Sequence, residues 1–285
     1  MKIKLLLPLL VLLFTACGNR PDDTRPTLVV SIEPLRYVVE AVAGDDYRVT
    51  TLMPEGVSPE TFEPTPRHMI EMSDAKMVFK SGTLPFERLL MEQMTANMPD
   101  VPVADLGREI EPLVDLTNHG HDHGNNGFDP HVWMQPLNLS IMAEKACQVL
   151  CDMDSVNTDG YQQRLTVFQT EMDSLDAELK RTLMPVKHRS FLIYHPALGY
   201  FAHRYGLMQL AVEHDGKEPS AAALRVLINQ CKGEEIKHVF ISKEHVGRGA
   251  QRVAESLGLQ PATINPLDYN VPQQLRDIAQ ELAHE

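Results

Sequence analysis

The sequence predicts an α/β protein of two lobes, each a mostly parallel four-stranded sheet flanked by helices, joined by one long rigid helix. Three observations predict it. Short β-rich runs alternate with amphipathic helical stretches, which is the pattern of a parallel sheet with helical crossovers. A single uninterrupted helical stripe near the middle breaks the alternation, which then begins again. With 285 residues, 43% apolar and 23% charged, the chain has globular composition and the length for two domains.

The N-terminus reads as an export leader. Lys2 and Lys4 precede an apolar run over 5–14, short of the roughly 20 residues a membrane-spanning helix needs, and the run ends Phe14-Thr15-Ala16-Cys17. Small residues before a cysteine, with a polar, proline-bearing stretch after it, resemble a bacterial lipoprotein signal in which Cys17 becomes the lipidated first residue. Residues 1–17 are therefore expected to be a signal peptide and 18–26 a flexible tether. Three further cysteines, Cys147, Cys151 and Cys231, are an odd number and argue against a disulfide framework. Cys147 and Cys151 lie one helical turn apart and read as small core residues.

The N-terminal lobe is expected over 27–155. Its strands are read at 27–32, 47–53, 77–80 and 101–105, with helices at 35–43, from about Arg67-His68, and around Phe86, Leu89, Leu90 and Met94. In parallel sheets ligands gather at loops off the carboxyl ends of strands. The loop at 54–66 is one of these, and four prolines, Pro54, Pro59, Pro64 and Pro66, make it stiff enough to present a side chain at a fixed place.

The stretch 118–133 holds two kinds of histidine. His119, His121 and His123 alternate with glycine and aspartate, which cannot pack a core, so they read as a solvated loop with loose metal affinity. His131 follows Asp129-Pro130, where proline restrains the backbone, and precedes Val132 and the chain's only tryptophan, Trp133, as buried anchors. A histidine held in that way can be a ligand in a built site.

A helix at 137–150 leads to the linking helix, expected within 156–184. Its apolar stripe is Tyr161, Leu165, Phe168, Met172, Leu175, Leu179 and Leu183, with Thr158 or Asp159 as N-cap and a stop before Pro185. At 1.5 Å per residue it would run about 39 Å, the diameter of a domain. The C-terminal lobe, 185–285, has strands at 190–194, 208–212, 237–242 and 260–264 and helices ending near 205 and at 221–231, 249–257 and 271–283. Its first strand runs directly into His195, and the loop 213–220 caps the next helix.

A net charge of −13 excludes nucleic acid and an anionic bilayer as partners for the body of the protein and favours cations. Of the remaining histidines, His203 and His214 read as surface or helix-packing residues, while His188, His238, His245 and His284 have no constraining context. Met69, Met72, Met91, Met94 and Met98 fall at helical spacings and read as core.

Several motifs together carry a family resemblance. The loop from Pro59 to Pro66, the segment Asp129-Pro130-His131-Val132-Trp133, the long helix, His195-Pro196-Ala197-Leu198-Gly199-Tyr200-Phe201, Gly216-Lys217-Glu218-Pro219-Ser220 and Asn265-Pro266-Leu267 span essentially the whole mature chain. They resemble the metal-binding receptors of ABC importers for zinc, manganese and iron, the cluster A-I or zinc-uptake solute-binding proteins. The resemblance implies a metal held between two lobes without a large hinge closure and no catalysis. It also implies an ABC permease as partner and a monomer, lipid-anchored on the periplasmic or extracytoplasmic face. His131 and His195 match the family's ligand positions. Glu60 stands where the family usually has histidine, in a loop of the form Pro-His-Thr-Tyr-Glu-Pro-Thr-Pro. Asn265 stands where it usually has aspartate, and Asp268, three residues on, could reach in instead.

The implied metal set is Glu60, His131, His195 and Asp268, with His68, Asn265 or water as alternatives for completing it. A divalent cation with two neutral imidazoles and one carboxylate keeps a charge of about +1, which Asp268 would cancel. Two histidines and two carboxylates suit zinc and move toward manganese or ferrous iron, whereas the histidine run favours zinc. Zinc is the expected ion, with manganese or iron as alternatives. Because histidine ligates only when neutral, binding should weaken as pH falls through about 6.5. A secreted zinc hydrolase is a different class, with Glu60 as a conceivable base, but the compact His-Glu-x-x-His motif is absent. A surface adhesin sharing the fold is a third class.

Overall fold

Eight strands form two separate parallel sheets in a computed structural model that describes residues 23–114, 127–213, 219–243 and 248–284. The expected signal peptide with Cys17, the run His119, His121 and His123, and also His214 and His245 lie outside the described residues. The first sheet joins β1 (Thr27–Val30), β2 (Arg48–Thr51), β3 (Met77–Lys80) and β4 (Val103–Asp105) in the order β2-β1-β3-β4. The second joins β5 (Ser190–Ile193), β6 (Met208–Ala211), β7 (Val239–Ser242) and β8 (Ala262–Ile264) in the order β6-β5-β7-β8. All paired strands are parallel, in agreement with the fold class read from the alternation. Burial is near-continuous along β1, β3 and β5, as it must be where helices cover both faces.

The strands are one to three residues shorter than most of their apolar runs, although Ser31 and Tyr194 continue the ladder past the ends of β1 and β5 through both N–H and carbonyl. The helices begin where proline allows. In α1 (Glu33–Ala43), α2 (Pro66–Ser73), α3 (Pro85–Asn97), α4 (Pro136–Met153) and α9 (Val271–Ala283) a proline occupies the first turn, where a missing N–H breaks no helical bond. The remaining helices are α6 (Gly199–Tyr205), α7 (Ala221–Gly233) and α8 (Arg248–Leu257). Ser220 caps α7 by accepting the Ala223 N–H, as its sequence position predicts.

The linking helix is α5 (Thr158–Leu183), 26 residues long, with Asn157 rather than Thr158 or Asp159 in the N-cap position. Its stripe is buried at Tyr161, Phe168, Met172, Leu175, Leu179 and Leu183 and half-buried at Leu165. It packs on α1 and α4 of the first lobe and on α9 of the second, so one apolar core runs through both lobes. Arg164 of α5 also donates to the Val42 and Ala43 carbonyls at the end of α1, which the helix itself leaves without donors. Ties between the lobes add to this. Trp133 Nε1 donates to the Pro266 carbonyl at 2.7 Å, and Tyr269 donates to Glu40 at 2.7 Å beneath the Arg36 guanidinium.

Asp176 fastens α5 to the second lobe. It accepts from Nε and Nη2 of the Arg204 guanidinium at 2.9 and 2.8 Å, from the Tyr205 hydroxyl at 3.1 Å and from the Lys180 ammonium at 2.8 Å. Burial alone would raise this carboxyl, but the hydrogen bonds from Arg204 and Lys180 outweigh it and hold it at about 2. An unfolded aspartate titrates near 3.9, so the stabilisation is complete above about pH 4 and is lost as pH falls toward 2, worth roughly 2 kcal/mol. Asp176→Asn is expected to flatten the acid limb of a urea-midpoint profile between pH 4 and 2.

Cys147 and Cys151 lie with their sulfurs 3.9 Å apart on α4, and Cys147 and Cys231 are buried among apolar side chains. Burial pushes both of these thiols up to about 11, which fits core packing.

Candidate metal centre

The carboxyl ends of both sheets face one crevice, and each contributes a histidine. In the first lobe the segment after the Val114–Phe128 bridge is folded by Asp129, whose Oδ1 accepts the His131 backbone N–H at 2.8 Å. The same oxygen lies 2.8 Å from His131 Nδ1. Trp133, fully buried, sets its ring edge-on to the imidazole at 5.5 Å, and Asn138 donates to the Val132 carbonyl. In the second lobe His195 stands two residues beyond β5. The Glu213 N–H donates to the Tyr194 carbonyl, continuing the β5–β6 ladder and bringing the Glu213 carboxylate beside His195. Its Oε1 is 3.3 Å from His195 Nδ1, and Glu60 Oε1 is 3.5 Å from the same nitrogen.

The two rings meet across the crevice. His131 Nε2 and His195 Nε2 are 3.2 Å apart, and the residues are only 7% and 8% exposed. A carboxylate beside Nδ1 accepts a proton there, which makes Nδ1 the donor and leaves a lone pair on Nε2. Both rings are arranged this way, so in the tautomers protonated at Nδ1 the two Nε2 lone pairs face and repel each other. A cation relieves that repulsion. With Zn–N bonds of about 2.0–2.1 Å, a tetrahedral site places two nitrogens about 3.3 Å apart, close to the spacing found.

The acids sort differently from expectation. Glu60 sits in a turn closed by the Thr61 and Phe62 N–H groups on the Ser58 carbonyl, with buried Phe62 packed edge-on against Phe86 as its anchor. Its side chain is 34% exposed and reaches into the crevice. Glu60, His195 and Glu213 each place a ligand atom within 4.8 Å of the others, the one such group of three among the described residues, and His131 meets it only through the His195 ring. Asp268 is outside that group. Its two oxygens close the turn after β8, accepting from Asn265 Nδ2 at 3.3 Å and from the Asn270 N–H at 2.8 Å. Asn265 Oδ1 accepts the Leu267 N–H in the same turn. His68 is spent as a cap, its Nδ1 accepting the Thr65 N–H at 3.1 Å.

Two functional groups escape the sequence reading. Asp129 is legible there only as a backbone restraint before proline, and Glu213 only as the start of a loop. The signal for Glu213 was its place just past a parallel strand adjacent to β5.

Gly199, in the other lobe from Asp129, shows how closely the site is packed. A β-carbon there would fall well inside van der Waals contact of Asp129 Oδ2. Gly199→Ala is expected to weaken metal binding about tenfold by displacing the carboxylate that orients His131, a loss typical of outer partners of ligands. A competition titration checks it. Alanine favours a helix by roughly 1 kcal/mol over glycine, so general helix instability would not account for that loss.

Comparison with known proteins places this geometry. A family model described as ZnuA, zinc-uptake complex component A, periplasmic, matches residues 28–280. The zinc-binding lipoprotein AdcA of Streptococcus pneumoniae strain R6 is 27% identical over 283 residues, covering 94% of this chain and 55% of that protein. This chain thus spans about half the length of that relative. A putative metal-binding protein of Treponema pallidum is 26% identical over 254 residues, covering 85% of this chain and 80% of the relative. Among solved structures, a crystal structure of ZnuA superposes with a TM-score of 0.84 at 30% identity, over 91% of this chain and 98% of that one.

Proposed function

The chain belongs to the ZnuA family of periplasmic zinc-uptake components, and from that premise we propose that it is an extracytoplasmic receptor that captures Zn²⁺ between its lobes and presents it to an ABC permease. The observation that carries the reading is the pair of Nε2 atoms, one from each lobe, 3.2 Å apart with a carboxylate behind each ring. Similar proteins described as zinc-binding or metal-binding support a receptor over a hydrolase.

His131 and His195 are the proposed histidine ligands. Glu213 is proposed to orient His195 through Nδ1, and Glu60, which stands beside the same nitrogen, to turn toward the Nε2 pair as a third ligand when metal binds. Asp268 would have to give up both of its turn hydrogen bonds to complete the set. The loop with His119, His121 and His123 is proposed to collect metal loosely. Its two ends are rooted beside the site, where the Asp129 N–H donates to the Leu113 carbonyl and Tyr200 bonds the backbone at Glu111 and Leu113. Anchoring through a lipid on Cys17 rests on the leader sequence and on the description of the streptococcal relative as a lipoprotein.

The test is elemental analysis of the purified protein followed by competition among zinc, manganese and ferrous iron. One zinc per chain, displaced by neither competitor at equal concentration, is expected from the ordering of divalent affinities for imidazole sites. Preferential retention of manganese would make Glu60 the dominant influence and overturn the zinc assignment.

A further inference from the structure

A second polar network stands behind the first-lobe histidine, and its centre is a buried acid. Glu87, on the first turn of α3, is 2% exposed, and no salt bridge to it is found among the described residues. Its carboxylate fills the switch point of the first sheet, between the ends of β1 and β3, where doubly wound folds usually receive a ligand. Oε1 accepts the Ser31 hydroxyl at 2.6 Å and the Ser81 N–H at 2.7 Å. Oε2 accepts the Gly82 N–H at 2.8 Å and the Leu84 N–H at 3.3 Å. The Ser81 hydroxyl, which lies 3.1 and 3.0 Å from the two carboxylate oxygens, also stands 3.0 Å from Thr83 Oγ1 and accepts the Thr83 N–H at 3.3 Å. Thr83 in turn donates to the Pro130 carbonyl at 2.7 Å.

The peptide unit between Pro130 and His131 is thus held at both ends, its carbonyl by Thr83 and by the Val132 N–H and its own N–H by Asp129. Packing alone does not hold it, because a cleft of about 270 Å³ opens beside Thr83, Asp129 and Pro130. We propose that Thr83, set in place by Glu87 and Ser81, is a positioning residue that fixes how far His131 reaches into the crevice and so sets its zinc affinity. The proposal deepens the receptor reading and rests on it.

The experiment compares Thr83→Val, Thr83→Ser and His131→Ala by zinc titration against a competing chelator, with the melting midpoint of the metal-free protein measured for each. Valine keeps the shape and removes the hydroxyl, and serine restores it. Thr83→Val is expected to weaken zinc binding about tenfold, within the range for outer partners of metal ligands. The metal-free melting midpoint should hold, and Thr83→Ser should stay within about twofold of the parent. Glu87→Gln, which turns one acceptor oxygen into a donor against the Ser81, Gly82 and Leu84 groups, should weaken binding in the same direction. Parental affinity in Thr83→Val, or an equal loss in Thr83→Ser, would overturn the proposal while His131→Ala still abolished tight binding. Parental affinity in His131→Ala would instead bring down the receptor reading beneath it.

Discussion

Replacing His131 or His195 with alanine is expected to weaken zinc binding about a hundredfold or more. Structural zinc sites bind with roughly 10–16 kcal/mol shared over four ligands, so one ligand carries about 3 kcal/mol. The geometry adds a reason for the loss to be large at either position. With one ring gone, the other keeps its carboxylate and a lone pair directed at an empty corner, and neither His68 nor Asp268 stands ready to substitute. His68 is committed to its cap, and Asp268 to its turn. The double replacement should lose little beyond either single one, because the two rings act as one clamp across the lobes. Competition with a chromophoric chelator measures all three variants. Parental affinity in either single variant would mean that the ion, if bound, sits elsewhere.

Trp133→Ala is expected to destabilise the protein by about 3–5 kcal/mol, the usual cost of emptying a fully buried aromatic site. Trp133→Phe separates the two parts of that cost. It keeps most of the apolar contact and the edge-on packing with His131 but leaves the Pro266 carbonyl without its donor, which should cost about 1–3 kcal/mol. Because that hydrogen bond joins the lobes, the phenylalanine variant should also show faster amide exchange around Pro266 and Leu267. Urea midpoints and exchange rates check the pair, and a phenylalanine variant as stable as the parent would show that the bond contributes nothing to holding the lobes together.

The zinc that such a receptor captures has to be released again, and the fold bears on how. The continuous core through α1, α4, α5 and α9 and the polar ties at Trp133 and Tyr269 make a wide hinge opening costly. The loops that bring Glu60 and Glu213 to the crevice are attached at the ends of strands, outside that core.

Much of this protein was legible as sequence. β3 and α9 begin and end where the apolar patterns do, and α5 carries its expected stripe, because alternation and helical periodicity are local records of which face is covered. The convergence of His131 and His195 was implied by the motifs around them. The acids were harder to read. A carboxylate is equally at home as a ligand, an orienting partner or a turn cap, and only its neighbours in space decide which. The sequence offers Asp268, three residues past Asn265, as a carboxylate that could reach in instead, and in the structure a nearby amide and a backbone N–H engage it.

The sequence by itself determined the two sheets and the helix between them, since each follows from periodicity, while the pairing of His131 with His195 is what the family resemblance implies. The tertiary structure alone decided that Asp129 and Glu213 stand behind the rings, that a β-carbon at Gly199 would crowd Asp129, and that Glu87 gathers the donors next to Thr83. Those relations join residues far apart in the chain, such as Gly199 to Asp129 and His195 to Glu213, so they exist only after the strands have paired and the lobes have met.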